Sequence, residues 1–305
     1  MTEQNNGGNS SNNNGKQKKP TSAYKKFRRK FARTPLRAPL VWWRHRGLNP
    51  SDMFFAAYPK SGTTWARFVL FEMLSGKASG FKATNQQMPG VGMHHNALRL
   101  LPNGGRLVAT HEYYRNNYHR SIYMVRDARD VLLSEFAFLS ALEYYTNDLD
   151  SFVNTFLYTV VSAYGPWHKN VTSWLDSPIA NNGNMMVVRY EDLRKDPVPL
   201  FAQMADFLGA NVSDEKIKQA VENNSIQNMR KKEDKEPVRA SIKGRFVRDG
   251  KVRGWVSKLT PEQVARIDKV AGPTLQRLGY PLGSEILAEQ SQSVTEAVAD
   301  TVVHA

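Results

Sequence analysis

The chain has 305 residues, enough for one large α/β domain or two small ones, and 41% of them are hydrophobic, which suffices for a sizeable core. It has no cysteine, so disulfides, thiolate zinc sites and cysteine nucleophiles are excluded. The net charge of +14 is concentrated in residues 1–46, where twelve Lys or Arg and one acid, Glu3, give +11 and leave only +3 for the rest. A folded part this mildly basic does not indicate a specific nucleic-acid partner.

The start of the chain falls into two parts. Residues 1–22 are mostly Asn, Gly, Ser and Lys, which predicts a disordered tail. Residues 23–50 form a basic aromatic arm, which we interpret in two ways. It lies as an amphipathic segment on an anionic membrane surface, or it docks on the domain through Trp42 and Trp43, and the interruptions at Pro35 and Pro39 favour docking. The arm also has three aromatic residues between its basic clusters: Tyr24, Phe27 and Phe31.

Location follows from two further sequence features. No run of 18 apolar residues occurs, so no membrane-spanning helix is predicted. The polar start lacks the apolar core of a secretion signal. We therefore expect a cytoplasmic protein, with a membrane-peripheral position left open by the arm.

The first element of the domain is a strand, a short polar loop and a helix. The apolar run from Met53 to Tyr58 predicts a strand that Pro59 ends. After the loop, apolar residues recur at helical spacing up to Gly76, where a helix would end. This geometry presents backbone N–H groups and the positive end of a helix to an anion. The loop, with a lysine, a glycine and three hydroxyls, therefore predicts a phosphate or sulfate site.

The loop does not match the Walker pattern, because its lysine precedes its only glycine. Residues 59–65, PKSGTTW, instead resemble the 5′-phosphosulfate loop of the sulfotransferase family, whose donor is 3′-phosphoadenosine 5′-phosphosulfate. The resemblance implies that this loop and the residue after it bind the donor through Lys60, Ser61, Gly62, Thr63, Thr64 and Trp65.

A second strand, from Arg106 to Thr110, is followed by His111. Ligands bind beyond the carboxyl ends of parallel strands, so His111 stands where a catalytic base could act. The family's base is a histidine at this point, and the resemblance implies this role for His111. Many relatives have a lysine two residues earlier, where this chain has Ala109. The preceding stretch from residue 77 to residue 105 is expected to be loop-rich and, by resemblance, to shape the acceptor pocket.

Two motifs resemble the family's 3′-phosphate site. Arg126 ends the strand from Ser121, and Ser134 follows eight residues later in a predicted helix, while Arg129 and Asp130 between them are expected to face solvent. The later motif is an arginine and a glycine ahead of Trp255, with Asp249 in the place of a lysine and Arg253 in the place of a second glycine. The implied 3′-phosphate ligands are Arg126, Ser134, Arg248 and Gly250.

The adenine is expected to lie near two further points. Tyr190 follows the strand predicted from Met185, and Ser225 belongs to a degraded form of the family's adenine motif. We expect helices over residues 149–174 (broken near Gly165), 196–209, 213–224 and 260–278. Residues 230–243 are expected to be mobile, and residues 283–305 to form a peripheral tail.

Alternating strands and helices predict an α/β fold, mainly a parallel sheet flanked by helices, with a P-loop-like nucleotide-binding architecture. The resemblance covers about Met53 to Tyr280, so residues 51–282 are assigned to a sulfotransferase domain. It implies sulfuryl transfer to an acceptor hydroxyl or amine, with His111 as general base, Lys60 stabilising the leaving oxygen, and no metal.

The sequence also leads to expectations about the binding partners and to two alternative functions. We expect a small-molecule or lipid-like acceptor, and a homodimer is left open. A kinase-like phosphoryl transferase would need a Walker loop and a metal. From another class, a basic membrane- or RNA-associated binding protein on an inactive nucleotide-binding scaffold would use the arm alone.

Overall fold

The computed structural model describes residues 34–159, 164–238, 242, 244–290 and 292. The predicted disordered tail and the three aromatic residues between the arm's basic clusters lie outside these ranges. Within the described ranges, four parallel strands form one sheet in the order β2-β1-β3-β4, which confirms the predicted parallel α/β fold. The strands are β1 Met53–Ala57, β2 Leu107–Thr110, β3 Ser121–Val125 and β4 Met185–Arg189.

The sheet explains how four distant parts of the chain meet. Phe54 of β1 pairs with Val108 of β2 and with Ser121 of β3, and Ser121 pairs with Met185 of β4. Because every pair is parallel, the carboxyl ends of all four strands lie at one edge. The segments that leave this edge contain the predicted site residues Lys60, His111, Arg126 and Tyr190.

Helices connect and cover the strands. Their bounds in chain order are α1 Ala38–Arg44, α2 Thr63–Ser75, α3 Phe81–Gln87, α4 Ala128–Ala141, α5 Leu149–Tyr158, α6 Trp167–Leu175, α7 Tyr190–Lys195, α8 Pro197–Phe207, α9 Asp214–Asn223, α10 Ile226–Lys235 and α11 Pro261–Arg277. Single 3-10 turns occur at Pro35–Arg37 and Pro178–Ala180, and residues 283–290 are also helical.

Both faces of the sheet are buried, as expected for a parallel sheet with near-continuous apolar strands. Phe54 and Tyr123 point into a cluster built with α4, α5, α6 and α11. Phe55 and Met124 point into a second cluster, built with α2, α8 and α9. The alternation of neighbouring residues between the two clusters follows from the two-residue period of a strand.

Two predicted loops are wrong in part. The stretch from residue 77 to residue 105 contains α3, whose Phe81 packs on Phe68 at 5.0 Å between ring centroids. The stretch expected to be mobile from residue 230 begins inside α10, where Met229 is buried against the same pair of rings. Residues 239–241 and 243 lie outside the described ranges.

The expected solvation of Arg129 and Asp130 is also wrong. Arg129 is fully buried, because it pairs with Asp127 at 2.8 Å and stacks over the Trp255 ring at 4.2 Å. Asp130 is buried too, and its Oδ1 accepts a hydrogen bond from the backbone N–H of Trp255 at 3.1 Å. These contacts fasten the start of α4 to the segment after residue 250.

The arm and the tail pack differently from expectation. In the arm, Val41 is buried, but Trp42 and Trp43 remain largely exposed, so the predicted docking through the two tryptophans is wrong. In the tail, Ile286 is buried in the cluster around Phe54. The packed region therefore continues past residue 282.

Candidate active site

The loop after β1 is shaped for an anion. Lys60 (φ 70°) and Gly62 (φ 90°) both adopt left-handed backbone conformations, and among the described residues no side chain caps the start of α2. The first N–H groups of a helix lack partners within the helix, so they remain available to a ligand here. Ser61 is fully buried, and its Oγ has no hydrogen-bond partner among the described residues. Thr63 and Thr64 open α2 and are partly accessible.

Gly62 also allows a close approach. A Cβ at this position would lie 2.5 Å from the Tyr190 ring, inside the distance at which atoms overlap. The loop can therefore pack against Tyr190 only without a side chain at residue 62.

The ammonium group of Lys60 lies between two aromatic rings. Its Nζ is 4.1 Å from the centroid of Phe138, in α4, and 4.7 Å from that of Phe246. Cations are attracted to ring faces at such distances. The cation of the loop is therefore held beside both the helix after β3 and the chain segment that leads to Arg248.

His111 leaves the end of β2 with a defined tautomer. Its Nδ1 lies 2.7 Å from the carbonyl oxygen of Ala57, at the end of β1. A carbonyl can only accept, so Nδ1 carries the proton and Nε2 keeps its lone pair. Burial, with the charges of Arg67 and Lys60, lowers the pKa of His111 to about 4. The imidazole is therefore neutral and able to accept a proton at neutral pH.

The backbone around His111 is fixed by its neighbours. The side-chain amide of buried Asn170 donates to the His111 carbonyl at 3.1 Å, and the Tyr164 ring lies edge-on to the imidazole at 5.5 Å. Ala109, two residues earlier, bonds instead to the chain at Pro89 and Val91, so the edge of β2 is covered there.

Arg126, Ser134 and Arg248 meet at the end of β3. Arg248 Nη2 donates to Ser134 Oγ at 2.5 Å. Arg126 donates to the carbonyl oxygens of Lys60 at 3.3 Å and Lys251 at 2.9 Å, while its buried Nε has no hydrogen-bond partner among the described residues. Burial and the nearby charge of Arg126 lower the pKa of Arg248. Two neighbouring guanidinium groups repel, and a bound anion would relieve that repulsion.

Tyr190 joins these parts. Its hydroxyl donates to the Gly250 carbonyl at 3.0 Å, and Arg126 lies over its ring at 4.5 Å. Gly250 has φ 59°, and a Cβ there would lie 2.5 Å from the Tyr190 hydroxyl. The sequence-predicted residues Gly62, Arg126, Tyr190 and Gly250 are therefore in one contact network.

Two departures from the family motif fit this backbone. Asp249 points toward Arg230, with which it forms an ion pair at 2.8 Å. Arg253 has φ 56°, the left-handed conformation that a glycine would adopt without strain.

Trp65 and Ser225 lie farther out on the helices. Trp65 packs edge-on against Phe201 at 5.8 Å, with Arg194 over its ring. Ser225 accepts from the Asn228 N–H and caps α10. The structure places Ser225 at a helix start, where its contacts are local.

The segment before Ser225 is held by a buried polar cluster. Lys232 Nζ donates to Glu72, Ser79 and Asn224 at 3.0, 2.7 and 2.6 Å. A cation that satisfies three buried acceptors fixes the position of α10 relative to α2.

Sequence reasoning missed Glu135, Phe138 and Phe246. Glu135 is buried beside Lys60 and the Tyr58 hydroxyl, and its Oε2 has no hydrogen-bond partner among the described residues. Burial raises the pKa of Glu135 to about 7, although Lys60 and Tyr58 act to lower it. Helical spacing could have found Phe138, since it lies four residues after Ser134 on one helix face.

A groove of about 540 Å³ borders Gly250 and Tyr280. Two ion pairs lie along it, Arg129–Asp127 and Arg189–Asp192, at 2.8 and 3.6 Å. Neither Lys60 nor His111 lines it.

None of the helices within the described ranges is long and apolar enough to cross a membrane. Proteins with a similar sequence include named sulfotransferases. Over 261 residues, 77% of this chain and 87% of the other, the chain is 28% identical to sulfotransferase 2A2 of Rattus norvegicus. It is 28% identical over 263 residues to cytosolic sulfotransferase 1 of Danio rerio, covering 78% and 87%.

The fold is similar to that of a solved retinol dehydratase in a complex with retinol and PAP. The TM-score is 0.61 at 21% identity, covering 78% of this chain and 86% of the other. The model of the sulfotransferase domain family matches residues 50–279, three quarters of the chain. The chain belongs to the sulfotransferase domain family and is a sulfotransferase.

Proposed function

We propose that this enzyme moves a sulfuryl group from 3′-phosphoadenosine 5′-phosphosulfate to the hydroxyl or amine of a small-molecule acceptor. The observation that carries the proposal is the meeting of Arg126, Ser134 and Arg248 beside the loop after β1. A donor with a phosphate at each end of its nucleoside needs two such anion sites. The PAP in the solved relative supports the same donor.

The residues present fit this donor. Ser61 Oγ and Arg126 Nε are buried polar atoms without partners among the described residues, and such atoms usually have one in a working site. Gly62 leaves the loop free of a side chain at its closest point. Lys60, Ser61, Gly62, Thr63 and Thr64 would hold the 5′ end.

Adenine would lie farther out. Trp65 and Tyr190 offer ring surfaces on either side of the loop, and Ser225 with Ile226 begins the helix beyond them. Arg126, Ser134, Arg248 and the Gly250 backbone would hold the 3′-phosphate.

His111 acts as the general base. Its Nδ1–H is committed to the Ala57 carbonyl, so Nε2 takes the proton from the acceptor as the acceptor atom bonds to sulfur. The depressed pKa keeps the base free of protons at neutral pH. Because the cations Arg67 and Lys60 lie near it, the His111 imidazole gains a proton only in the reaction itself, when negative charge develops on the leaving oxygen.

Lys60 stabilises that charge. The bond that breaks joins sulfur to the 5′-phosphate oxygen, and the negative charge stays on this oxygen. The Lys60 ammonium and the N–H groups at the start of α2 favour the charge electrostatically. The donor supplies the activated sulfuryl group, and we expect no metal.

The chemical class of the acceptor is inferred from a similar solved protein. Retinol, bound in the solved relative, is an apolar molecule with one hydroxyl, which supports a small or lipid-like acceptor here. The name of the Danio rerio relative supports a cytoplasmic location. A homodimer is compatible with this proposal but plays no part in it.

The test is a transfer assay with a panel of hydroxyl and amine acceptors. The wild-type chain should release adenosine 3′,5′-bisphosphate only when an acceptor is present, and mass spectrometry should find the sulfated product. Lys60→Ala, at an unchanged melting temperature, should lose most of this rate. Transfer that Lys60→Ala leaves unchanged would contradict the proposed site.

A further inference from the structure

The arm has a concentration of exposed apolar side chains. Four of the nine large apolar side chains that are exposed in the described part of the chain lie within residues 36–43. They are Leu36, Leu40, Trp42 and Trp43, exposed by 71%, 47%, 69% and 55%, and we call them the arm face. Leu40 and Trp43 follow helical spacing within α1 and share one side with Leu36 of the preceding turn, while Trp42 lies roughly a third of a turn away.

The arm face is presented by a docked segment. Val41 is buried beneath it, and Arg44 Nη2 donates to the Val91 carbonyl at 2.7 Å. His45 Nε2 lies 2.6 Å from the Tyr118 hydroxyl, and Arg37 pairs with buried Glu112 at 2.5 Å. These contacts are made by residues other than the four of the arm face, and those four side chains remain exposed beside them.

A loop that packs against the arm also has exposed apolar side chains. Met93 and Leu98 are exposed as well, by 70% and 38%. Their loop packs against the arm, since a Cβ at Gly92 would meet Arg44 and a Cβ at Gly47 would meet His95. Exposed apolar side chains that gather in one region indicate an interaction surface, whereas single ones do not.

Charge identifies the occupant. The arm face belongs to residues 1–46, which have a net charge of +11. Tryptophan is enriched at membrane–water interfaces, and basic residues near it are attracted to anionic lipids. A nucleic acid would satisfy the charge but leave the two leucines in water. We infer that the arm face docks on an anionic lipid bilayer, to which the net charge of +11 in residues 1–46 of the sequence attracts it.

The surface lies next to the predicted catalytic base. Glu112, which holds Arg37, directly follows His111, and Arg44 also approaches Glu112 at 3.9 Å. A docked arm therefore brings the segment of His111 close to the bilayer. Docking on a bilayer requires no transfer activity, so a failure of this inference would not contradict the proposed function, and the reverse also holds.

The test is co-sedimentation of the full chain with phospholipid vesicles at low and high salt. Vesicles with about a third phosphatidylserine should bind the chain at low salt and release most of it at high salt, and pure phosphatidylcholine should bind it weakly. The double variant Trp42→Ala/Trp43→Ala should bind about tenfold or more weakly, because two interfacial anchors are lost. Tyr158→Ala removes an equally exposed ring elsewhere and should leave binding unchanged.

The charges are tested separately. Lys25→Glu/Lys26→Glu should weaken binding to the anionic vesicles and reduce its dependence on salt. Calorimetry with adenosine 3′,5′-bisphosphate should give the wild-type affinity for every variant, which confirms intact folding. Wild-type protein that does not bind anionic vesicles at low salt would overturn the inference. Tryptophan variants that bind anionic vesicles as tightly as the wild type would also overturn it. The same holds if these variants keep vesicle binding but lose binding to an RNA homopolymer, or lose self-association.

Discussion

Replacing Glu135 by glutamine should stabilise the chain at alkaline pH and have little effect at acid pH. The carboxyl group is buried beside Lys60, and burial raises its pKa from 4.5 to about 7. Between these values the folded chain holds a proton that the unfolded chain has released. The stability this proton confers is fully present below pH 4.5 and is lost as the pH rises through about 7.

The magnitude follows from the two pKa values. The difference between 4.5 and about 7 corresponds to about 3 kcal/mol across the whole window. Glutamine has nearly the same shape and does not ionise, so its variant lacks this loss. The free energy of unfolding of Glu135→Gln relative to wild type should therefore rise by about 3 kcal/mol from below that window to above it.

Urea unfolding followed by tryptophan fluorescence measures this difference. Burial also raises the pKa of Asp130, to about 6. Asp130 and His111 titrate in both proteins, so their contributions to the pH dependence of stability cancel in the comparison. Glu222→Gln, at an exposed site, serves as the matched control and should leave the pH profile unchanged. Parallel profiles for wild type and Glu135→Gln would refute the burial of a proton at Glu135.

Three further predictions address the site. Arg248→Ala should weaken adenosine 3′,5′-bisphosphate binding by about 1.5–3 kcal/mol and leave 5′-AMP binding unchanged in calorimetry, since only the former has a 3′-phosphate. His111→Ala should lower kcat by about a hundred- to ten-thousand-fold with the bisphosphate affinity intact, and wild-type activity should persist down to about pH 5 because the base titrates near 4. Gly62→Ala should lower stability by more than Gly76→Ala, since both glycines have positive φ but only Gly62 contacts Tyr190; equal losses in urea unfolding would contradict that contact.

The strands were predictable within one residue. Predicted runs such as Met53 to Tyr58 and Ser121 to Arg126 exceed the observed strands by one residue. Both faces of this sheet are buried, so its strands are continuous apolar runs that stand out from their polar neighbours. The carboxyl-edge rule predicted the place of His111, whereas Lys60 followed from the strand–loop–helix pattern and Arg126 from the resemblance to the family.

The helices around residues 81 and 226 were less predictable. α10 has a single buried residue, Met229, and a run of charges, so its sequence has no apolar stripe. Its position depends on the contacts of Lys232 with Glu72 and Ser79, which are distant in sequence. Such helices are stabilised by tertiary contacts that a local pattern does not contain.

Side-chain environments were the least predictable part. The sequence does not reveal that Glu135 is buried beside Lys60, because helix spacing fixes a face but not what covers it. The exposure of Trp42 and Trp43 was also contrary to expectation, since burial is the usual outcome for large apolar residues. In the arm, the polar contacts of Arg37 and His45 decide which side faces the domain.

We propose that the enzyme has separate sites for the two ends of a bisphosphorylated adenosine. The most direct test of this proposal is isothermal titration of the wild-type chain with adenosine 3′,5′-bisphosphate and with 5′-AMP under the same conditions. The charge-assisted contacts of Arg126 and Arg248 with a 3′-phosphate predict that the bisphosphate binds at least about tenfold more tightly. Equal affinity for the two nucleotides would contradict a separate site for the 3′-phosphate.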